Sequence, residues 1–418
     1  MGYTIAEKIL TEKSGREAKA GDLVVADVDV IMAHDSLGPM ALEALAEMGD
    51  FNIPRPEVIC FMTDHLVPAP ARNYAQMQKQ MREFARKWSI RQYGVGDGIC
   101  HQLLVEKEVR PGQLVIGTDS HTCMGGALNA FATGVGSTDA AAAMATGQLW
   151  FKVPETVQVV LQGVLPEGVF AKDLILHLIG KFTAEGANYK SVEMTGETIS
   201  TLSMSSRFTI CNMGIEMGAK AVILEADEKT RKWLEIHGVP GAHQPVRPDA
   251  SAVYGQTLEI RVDQLEPQIA KPHTVDHVVP LKDVAGTPIH EVLIGTCTNG
   301  RLEDLEIAAR ILKGKKIAPD LSLIVIPASR SVLLEAMGKG VIEVLIEAGA
   351  TMIAPGCGPC VGVHGGVPAD GDNVLSTANR NFKGRMGNPN ANIFLGSPAT
   401  AAAAALTGRI EDPREYLT

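Results

Sequence analysis

The stretch EVLIGTCTNGRLEDLEIAARILKG, residues 291–314, joins an apolar run to a helix-like segment through a turn that contains glycine. The run EVLIGTC is short and rich in branched apolar residues, as buried strands are. The segment LEDLEIAARILKG repeats apolar residues at helical spacing. Cys297 lies in the turn between them. The stretch therefore predicts a strand–turn–helix unit that presents a cysteine at the carboxyl end of the strand.

The same alternation of apolar runs and helix-like segments continues along the chain, and it indicates α/β layers with mainly parallel strands. Several runs end in turns that carry Cys, Asn, Ser or His. Ligands in open α/β sheets bind beyond the carboxyl ends of strands, so we expect these side chains to converge. Further strand candidates are VQVVLQG (157–163), KAVILEA (220–226), LSLIVIP (321–327), ATMIAPG (350–356) and ANIFLGS (391–397), and a further helical segment is SVLLEAMGKGVIEVLIEAG (331–349).

Chain length suggests about three domains. The stretch 266–287 contains three prolines and little periodicity, and we interpret it as a domain connection. A second change falls near Pro154, after an alanine-rich helix that the sequence Ser137-Thr138-Asp139 is predicted to cap. The predicted domains are residues 1–155 with histidine and aspartate loops, 156–273, and 274–418 with the cysteines.

Composition excludes several classes of protein. The 418 residues carry a net charge of −10 and no long block of Lys or Arg, so strong binding to nucleic acid or to an anionic membrane is not expected. No apolar run is long enough to span a membrane, and the N-terminal segment has no signal-peptide pattern. Seven cysteines in a chain of this length do not resemble a disulfide framework, and they suit a reducing cytoplasm.

Three cysteines are the strongest chemical signal. Cys297 stands alone, and Cys357 and Cys360 form a Cys-x-x-Cys motif between glycines and a proline 60 positions later. The spacing alone leaves open a redox pair, half a zinc site or an iron–sulfur site. Three thiolates are one fewer than a closed four-cysteine site needs, so one iron of a cluster would be free to bind substrate. The other cysteines, which are interpreted as small buried hydrophobes, are Cys60, Cys100, Cys123 and Cys211.

Four histidines lie in the first third of the chain, and three of them have an aspartate beside or near them. A single such pair is more often a turn than a catalytic dyad, but three pairs near strand ends favour a site. An aspartate that binds a histidine fixes its tautomer and raises its basicity, which suits acid–base catalysis. The residues concerned are His34-Asp35, Asp64-His65, His101 and the sequence Asp119-Ser120-His121.

Two further segments are polar in a way that suits carboxylate binding. The segment 376–385 contains Asn379, Arg380 and Arg385, and arginine forks bind carboxylates in a bidentate manner. The segment 211–216 offers the amide of Asn212 and the carboxylate of Glu216. Either segment is also compatible with an ordinary solvated loop or helix turn.

Taken together, these segments resemble the signature blocks of the aconitase family, in the same order and over nearly the whole chain. The resemblance implies three α/β/α domains around a central 4Fe–4S cluster, bound by Cys297, Cys357 and Cys360. The blocks are GTDSHTCMGG (117–126), TICNMGIEMGA (209–219), GTCTNGRLEDL (295–305), APGCGPCVGVH (354–364) and STANRNFKGRMGNP (376–389).

The resemblance also implies a role for each polar residue. Asp64 and His65 match a pair that assists protonation of a departing hydroxyl, and His34 replaces an amide found in aconitase itself. The residues implied in catalysis are Asp64, His65, His101, Asp119, His121 and Glu216, and those implied in substrate binding are His34, Ser120, Asn212, Asn379, Arg380 and Arg385.

The resemblance covers three domains and does not include the swivelling domain of full aconitases, so we expect a large subunit like those of the split enzymes in the family. This implies a separate small subunit that supplies the serine base, in a heterodimer or heterotetramer, and a di- or tricarboxylate substrate. The expected reaction is reversible dehydration of a malate derivative. The expected substrate is 3-isopropylmalate, and the substrates of homoaconitase and of 2,3-dimethylmalate dehydratase are the alternatives. A cluster-free RNA-binding regulator and a zinc-stabilised scaffold are more remote alternatives.

Overall fold

A computed structural model describes residues 2–239 and 245–417. Within these residues, three sheets of mainly parallel strands follow one another along the chain, together with a two-stranded antiparallel ribbon. The prediction of an α/β fold is confirmed. No helix of the described residues is both long and apolar enough to cross a membrane.

The first sheet has the order β4-β3-β2-β5-β6, and all its strands are parallel. The chain moves outward from β2 to β3 and β4 and then returns to the other side of β2, so a crevice opens at the carboxyl end of β2. The elements of this part are α1 (Ile5–Ser14), β1 (Leu23–Asp27), β2 (Val30–His34), α2 (Gly38–Glu47), β3 (Ile59–Met62), α3 (Arg72–Trp88), β4 (Arg91–Tyr93), α4 (Cys100–Leu103), β5 (Leu114–Gly117), β6 (Phe131–Gly134), α5 (Ser137–Thr146) and β7 (Gln148–Lys152).

The second sheet has the order β10-β9-β8-β11 and is also parallel. Its helix α8 ends beside the first and third sheets and carries Asn212 toward them. The elements are β8 (Thr156–Gln162), α6 (Ala171–Phe182), β9 (Ser191–Thr195), α7 (Glu197–Thr201), α8 (Met204–Met213), β10 (Ala221–Leu224), α9 (Glu228–Ile236) and β11 (Gln256–Arg261).

The third sheet has the order β13-β12-β18-β17-β14-β15-β16. The chain runs from β14 to β15 and β16, and then crosses back to β17 and β18 on the other side of β14, which places a second crevice at the carboxyl end of β14. The elements are β12 (Gln268–Ala270), β13 (Val278–Pro280), β14 (Glu291–Gly295), α10 (Thr296–Asn299), α11 (Leu302–Leu312), β15 (Ser322–Ile326), α12 (Arg330–Gly338), α13 (Val341–Ala348), β16 (Thr351–Met352), β17 (Asn373–Ser376), β18 (Asn392–Leu395) and α14 (Pro398–Thr407).

Two local predictions were wrong. The stretch 266–287 is not a free connection, because β12 and β13 pair with each other and β12 extends the third sheet beside β18. Antiparallel pairing of such short strands depends on distant partners, which local composition does not reveal. Helix α5 begins at Ser137 and has Gly136 at its N-cap, without a side-chain cap. The predicted domain ranges stay a prediction, and the boundary at residue 273 falls between two strands of the third sheet.

The central strands β2 and β14 of the first and third sheets are buried along their full length, as expected for parallel strands with both faces covered. One continuous group of buried apolar side chains includes residues of all three sheets, among them Met32 of β2, Val159 of β8 and Leu293 of β14. This shared core fixes the three sheets against one another. It thereby brings their loops together at one place.

Candidate active site

The first cysteine lies at the carboxyl end of β14. Gly295 ends the strand with φ of +146°, and a β-carbon at this position would lie 2.3 Å from the carbonyl oxygen of Ile326. Only glycine fits there. Thr296 follows with φ of +68°, so the chain turns sharply into α10. The turn leaves Cys297 buried, with 6% of its surface exposed.

The cysteine pair lies in the loop that follows β16. The backbone N–H of Cys357 donates to the carbonyl oxygen of Asp64 over 2.8 Å, and the N–H of Cys360 donates to the carbonyl oxygen of Cys357 over 3.3 Å. Both side chains are buried and pack against Ala378, which follows β17. The contact with Asp64 ties this loop to the loop after β3 in the first sheet.

Two side chains that follow β17 donate hydrogen bonds to cysteine sulfurs. Asn379 Nδ2 lies 3.5 Å from Cys297 Sγ, and Arg385 Nη2 lies 3.3 Å from Cys360 Sγ. Asn379 Nδ2 also donates to Asn212 Oδ1 over 3.2 Å. The structure therefore brings these three polar residues together around the cysteines. We call Cys297, Cys357 and Cys360 with these neighbours the cysteine site.

The three thiols differ in acidity. Burial raises the pKa of Cys297 to about 12, and the nearby Cys360 adds to the rise. A hydrogen bond from Cys357 lowers the pKa of Cys360 well below its usual range, against the effect of burial, and the charge of Arg385 acts in the same direction. The site thus favours a thiolate at Cys360, and metal binding is what ionises a buried thiol such as Cys297.

These residues fit an iron–sulfur cluster. Cysteine thiolates are the usual ligands of such clusters, and all three cysteines here are buried free thiols. The buried atoms Asn379 Oδ1 and His101 Nδ1 have no hydrogen-bond partner among the described residues. Unpaired buried polar atoms are uncommon in folded proteins, and a bound group is one way of satisfying them.

Beside the cysteine site, His65 lies between two carboxylates. Its Nδ1 is 3.0 Å from Asp64 Oδ1, and its Nε2 is 3.5 Å from Asp119 Oδ2. Burial opposes a charged imidazole, but the charge of Asp64 and hydrogen bonds to both carboxylates raise the pKa of His65 well above its usual range. Burial also opposes ionisation of Asp64, yet His65 lowers the pKa of that carboxyl to about 2. The carboxylates on its two sides therefore favour an imidazolium at His65, with a proton on each nitrogen.

Asp119 joins His65 to two more histidines. Its Oδ1 lies 2.9 Å from His101 Nε2 and 3.2 Å from His121 Nδ1, and it also accepts the backbone N–H of His121. These bonds lower the pKa of Asp119 well below its usual range, although burial acts in the opposite direction. Asp119 is thus an ionised hub that orients three rings.

The connection continues through His121 to the second and third sheets. His121 Nε2 lies 2.8 Å from Glu216 Oε1, which also accepts from Arg380 Nε over 2.8 Å. Arg380 Nη2 donates to Ser120 Oγ over 3.0 Å. Burial opposes ionisation of Glu216, but the hydrogen bond from His121 and the charge of Arg380 lower its pKa. We call the sequence of contacts from Asp64 through His65, Asp119, His101 and His121 to Glu216 the histidine–aspartate chain.

His34 contributes to this chain by stacking. Its ring centroid is 3.9 Å from that of His65. Its Nδ1 accepts the backbone N–H of Ser36 and its Nε2 faces the carbonyl oxygen of Thr118, each at 3.3 Å. Burial and the nearby charge of His65 lower the pKa of His34 to about 3, so the ring is neutral. With both nitrogens engaged by the backbone, His34 offers its ring face and edge, and its role in substrate binding stays a prediction.

Asp35 is not a partner of His34, in contrast to the pairing that their adjacency suggested. Its Oδ1 accepts the backbone N–H groups of Asp64 and His65 at 3.2 and 2.9 Å, and its Oδ2 accepts Gln78 Nε2 at 3.0 Å. Asp35 therefore shapes the loop that carries the Asp64–His65 pair. An aspartate directly after a strand is the signal for such a role, but the sequence does not say which loop it binds.

Sequence reasoning missed Arg301, a fully buried residue within the block that carries Cys297. Its guanidinium donates to the carbonyl oxygens of Cys297, over 2.9 Å, and of Thr298, and also to Thr209 Oγ1 of α8 over 2.8 Å. Arg301 therefore fixes the backbone of the Cys297 turn against the second sheet. A buried arginine is visible as such only in three dimensions, because its neighbours in sequence are polar.

Comparisons with known proteins agree with this site. The model of the aconitase family (aconitate hydratase) matches residues 7–288 and 282–408. The chain is 52% identical over 417 residues to 3-isopropylmalate dehydratase large subunit 2 of Archaeoglobus fulgidus. It is 51% identical over 420 residues to 3-isopropylmalate dehydratase large subunit 1 of Methanopyrus kandleri. Both alignments cover 100% of this chain and 100% of the relative. The chain is also 51% identical over 394 residues to a probable methanogen homoaconitase large subunit of Methanosarcina mazei, which covers 94% of this chain and all of the relative.

Proposed function

Since the chain belongs to the aconitase family, we propose that it is the large subunit of a hydro-lyase that interconverts 2-isopropylmalate and 3-isopropylmalate in leucine biosynthesis. One observation carries the proposal: a network of histidines and carboxylates that bind one another lies against a site of three buried cysteines. Such a pair of sites suits removal of a hydroxyl and a proton from adjacent carbons. Full-length similarity to several isopropylmalate dehydratase large subunits supports the choice of substrate.

In this proposal the three cysteines hold a 4Fe–4S cluster. When bound, the cluster supplies a Lewis acid, because one iron has no protein ligand. Asn379 and Arg385 donate hydrogen bonds to Cys297 and Cys360 and so orient the sulfurs. Hydrogen bonds of this kind strengthen metal binding and fix the direction of each ligand.

His65 is the proposed source of the proton that leaves with the hydroxyl. It carries a proton on each nitrogen, and Asp64 holds the Nδ1 side. Transfer from Nε2 to a departing hydroxyl gives water and a neutral ring, and the reverse transfer restores the imidazolium during rehydration. Asp119 holds the same Nε2 at 3.5 Å and positions His101 beside it.

Arg380 and Ser120 are proposed to bind a carboxylate of the substrate. Arg380 is about one quarter exposed, and Glu216 engages its Nε while Ser120 engages its Nη2. The planar fork is thereby held in one orientation, which suits bidentate binding of a carboxylate. The base that takes the carbon-bound proton is proposed to be a serine of a small subunit with a swivelling domain. The printed names of the relatives, which call each a large subunit, support such a partner. A heterodimer or heterotetramer in the cytoplasm is part of the proposal.

A homoaconitase-type activity is the second candidate. The homoaconitase relative from Methanosarcina mazei is as similar to this chain as the isopropylmalate dehydratase relatives are.

The test is a substrate panel with anaerobically reconstituted chain and its small subunit, in which the ultraviolet absorbance of the alkene product reports dehydration. We expect turnover of 3-isopropylmalate, with homocitrate-type substrates much slower, and none by either subunit alone. Turnover of homocitrate alone supports the second candidate. Robust turnover by this chain without its partner, or no turnover of either substrate by the loaded pair, contradicts the proposal.

A further inference from the structure

One buried cation close to the cysteine site has no evident role in the fold. Lys172 is the second residue of α6, and none of its surface is exposed. Its Nζ donates to the carbonyl oxygens of Thr377 and Ala378 over 2.8 and 2.5 Å. Within residues 2–239 and 245–417 these are its hydrogen bonds, and neither acceptor is a carboxylate. The ammonium group is therefore solvated by two neutral carbonyl groups.

The position is unfavourable for a cation. The first turn of a helix has partial positive charge, so an ammonium group there is repelled by the helix dipole. A buried charge without an opposite charge also loses its hydration energy. Burial accordingly lowers the pKa of Lys172 to about 7, whereas ionisation of Cys297 and of nearby acids acts in the other direction. The stability of the chain alone gives no reason for a lysine at this position.

The nearby carboxylates are engaged elsewhere. Asp173 accepts two backbone N–H groups at 2.8 and 2.9 Å, and burial raises its pKa to about 7. Asp304 accepts the N–H of Arg301 at 3.0 Å and Asn299 Nδ2 at 2.8 Å, and burial raises its pKa to about 6. Both carboxyls serve local backbone or loop contacts. The remaining acidic groups that influence Lys172 are the cysteines Cys297 and Cys360.

A short path of hydrogen bonds, with three residues of backbone between them, joins Lys172 to a cysteine sulfur. The carbonyl groups it binds belong to Thr377 and Ala378, which directly precede Asn379. Asn379 in turn donates its Nδ2 to Cys297 Sγ. Lys172 therefore fixes the backbone that aims the amide of Asn379 at the sulfur.

We propose that Lys172 is a buried counter-charge of the cysteine site, in addition to Arg385. Its ammonium fixes the two carbonyl groups before Asn379, and it offsets the negative charge that three thiolates and an iron–sulfur cluster bring into the interior. This role makes Lys172 a positioning residue and not a catalytic one. The inference rests on the proposed function only in its cofactor, since it does not depend on which malate derivative is the substrate.

Three variants separate charge from packing. Lys172→Gln keeps N–H donors for the carbonyl groups but removes the charge, Lys172→Arg keeps both, and Lys172→Met keeps neither. We expect the Gln protein to lose its visible cluster absorbance to a chelator about tenfold faster than the wild type or more. The rate of cluster loss from the Arg protein should lie between the rates of the wild type and the Gln protein. The Met protein should lose its cluster fastest. The apo form of the Gln protein should unfold at the same temperature as the wild-type apo form or above it.

The matched control is Arg207, another fully buried cation, which lies on α8 and pairs over 2.9 Å with Asp227, the N-cap residue of α9. Arg207→Gln should lower the unfolding temperature of the apo and loaded forms alike, without a specific effect on the rate of cluster loss.

The outcomes distinguish this proposal from the proposed function. An unchanged rate of cluster loss in Lys172→Gln, or equal destabilisation of the apo and loaded forms, overturns the role as counter-charge. A wild-type chain that takes up no iron and sulfide overturns both proposals. A wild-type chain that holds its cluster but turns over neither malate derivative overturns the proposed function alone.

Discussion

The histidine–aspartate chain and the cysteine site lie side by side, but they satisfy their polar groups in different ways. In the histidine–aspartate chain the acidic and basic side chains pair with one another. Asp119, for example, contacts the rings of three histidines. In the cysteine site, Cys297 and Cys357 are buried thiols with raised pKa values, and Asn379 Oδ1 has no partner within the described residues. Apart from His101 Nδ1, the described polar groups of the first region are satisfied by the protein itself, whereas the second region is completed by what it binds.

This difference shows which part of the site depends on the cofactor. A network of paired charges holds its geometry before any ligand arrives, which is what preorganised acid–base catalysis requires. A site of buried thiols gains its stability when metal binding ionises the sulfurs. Substitutions in the two regions should therefore fail in different ways, and each prediction below tests that separation.

The largest effect should follow from Cys297→Ser. Loss of one ligand removes or destabilises the cluster, and a Lewis acid is worth several kcal/mol at the transition state. Because each 1.36 kcal/mol is tenfold in rate, dehydration should fall about 1000-fold or more. Activity and visible absorbance of the anaerobically reconstituted protein are the measurements. Cys60→Ser is the matched control, since Cys60 is an equally buried cysteine within β3, and it should retain both. A Cys297→Ser protein with normal activity would contradict the claim that the cysteine site depends on a bound cluster.

His65→Asn should fail in the opposite manner. The variant removes the imidazolium but no sulfur, so iron and sulfide should stay at the wild-type level while kcat falls roughly 100-fold or more. His177→Asn is the control, because His177 lies on α6 and is not part of the histidine–aspartate chain. This variant should be nearly as active as the wild type. If the His65 protein loses its cluster as well, the two regions are not separable.

Much of this arrangement could be predicted from the sequence. The strand–turn–helix unit around Cys297 is local, and the rule that ligands bind at the carboxyl ends of parallel strands predicts that the cysteines and the Asp64–His65 pair converge. The position of Asn379 beside them is implied by the family resemblance alone. Local patterns singled out Asp35 but did not reveal that it binds a loop 29 residues away. Nor did they reveal the contacts of Arg301 or the pairing of β12 with β18, because these depend on distant partners in space.

Arg380→Lys should have an intermediate effect and should sharpen the comparison, because Arg380 follows β17 but contacts the histidine–aspartate chain at Glu216. A lysine keeps the charge but loses the planar fork, so we expect KM for substrate to rise about tenfold, with kcat less affected and the cluster retained. Steady-state kinetics check this. Arg261→Lys, at an exposed pair with Asp263, is the control. A rise in the rate of cluster loss in place of KM would assign Arg380 to the cysteine site.

The smallest effect concerns the pH dependence of stability in the apo chain. The lowered pKa of Glu216 adds stability above its ordinary value of 4.5, and this is lost as pH falls through the folded value. Hydrogen bonds to Asp119 and Glu216, which outweigh burial, raise the pKa of His121 above 6.5, so its contribution is complete below 6.5 and is lost as pH rises through the folded value. We therefore expect the unfolding temperature to be highest between about pH 4.5 and pH 6.5, the ordinary pKa values of the two groups.

Thermal unfolding of the apo chain at pH 5.5 and pH 8.5 tests this expectation. His121→Asn should reduce the decline toward the higher pH by on the order of 1–2 °C. An identical decline in the variant and the wild type would show that this part of the histidine–aspartate chain contributes no pH-dependent stability.

The most direct test of the separation is the iron and sulfide content of three anaerobically purified proteins, the wild type, His65→Asn and Cys297→Ser. The account predicts about four iron and four sulfide per chain in the first two, and a clear loss in the third. One zinc per chain without sulfide in the wild type, or equal iron and sulfide in all three proteins, would contradict it.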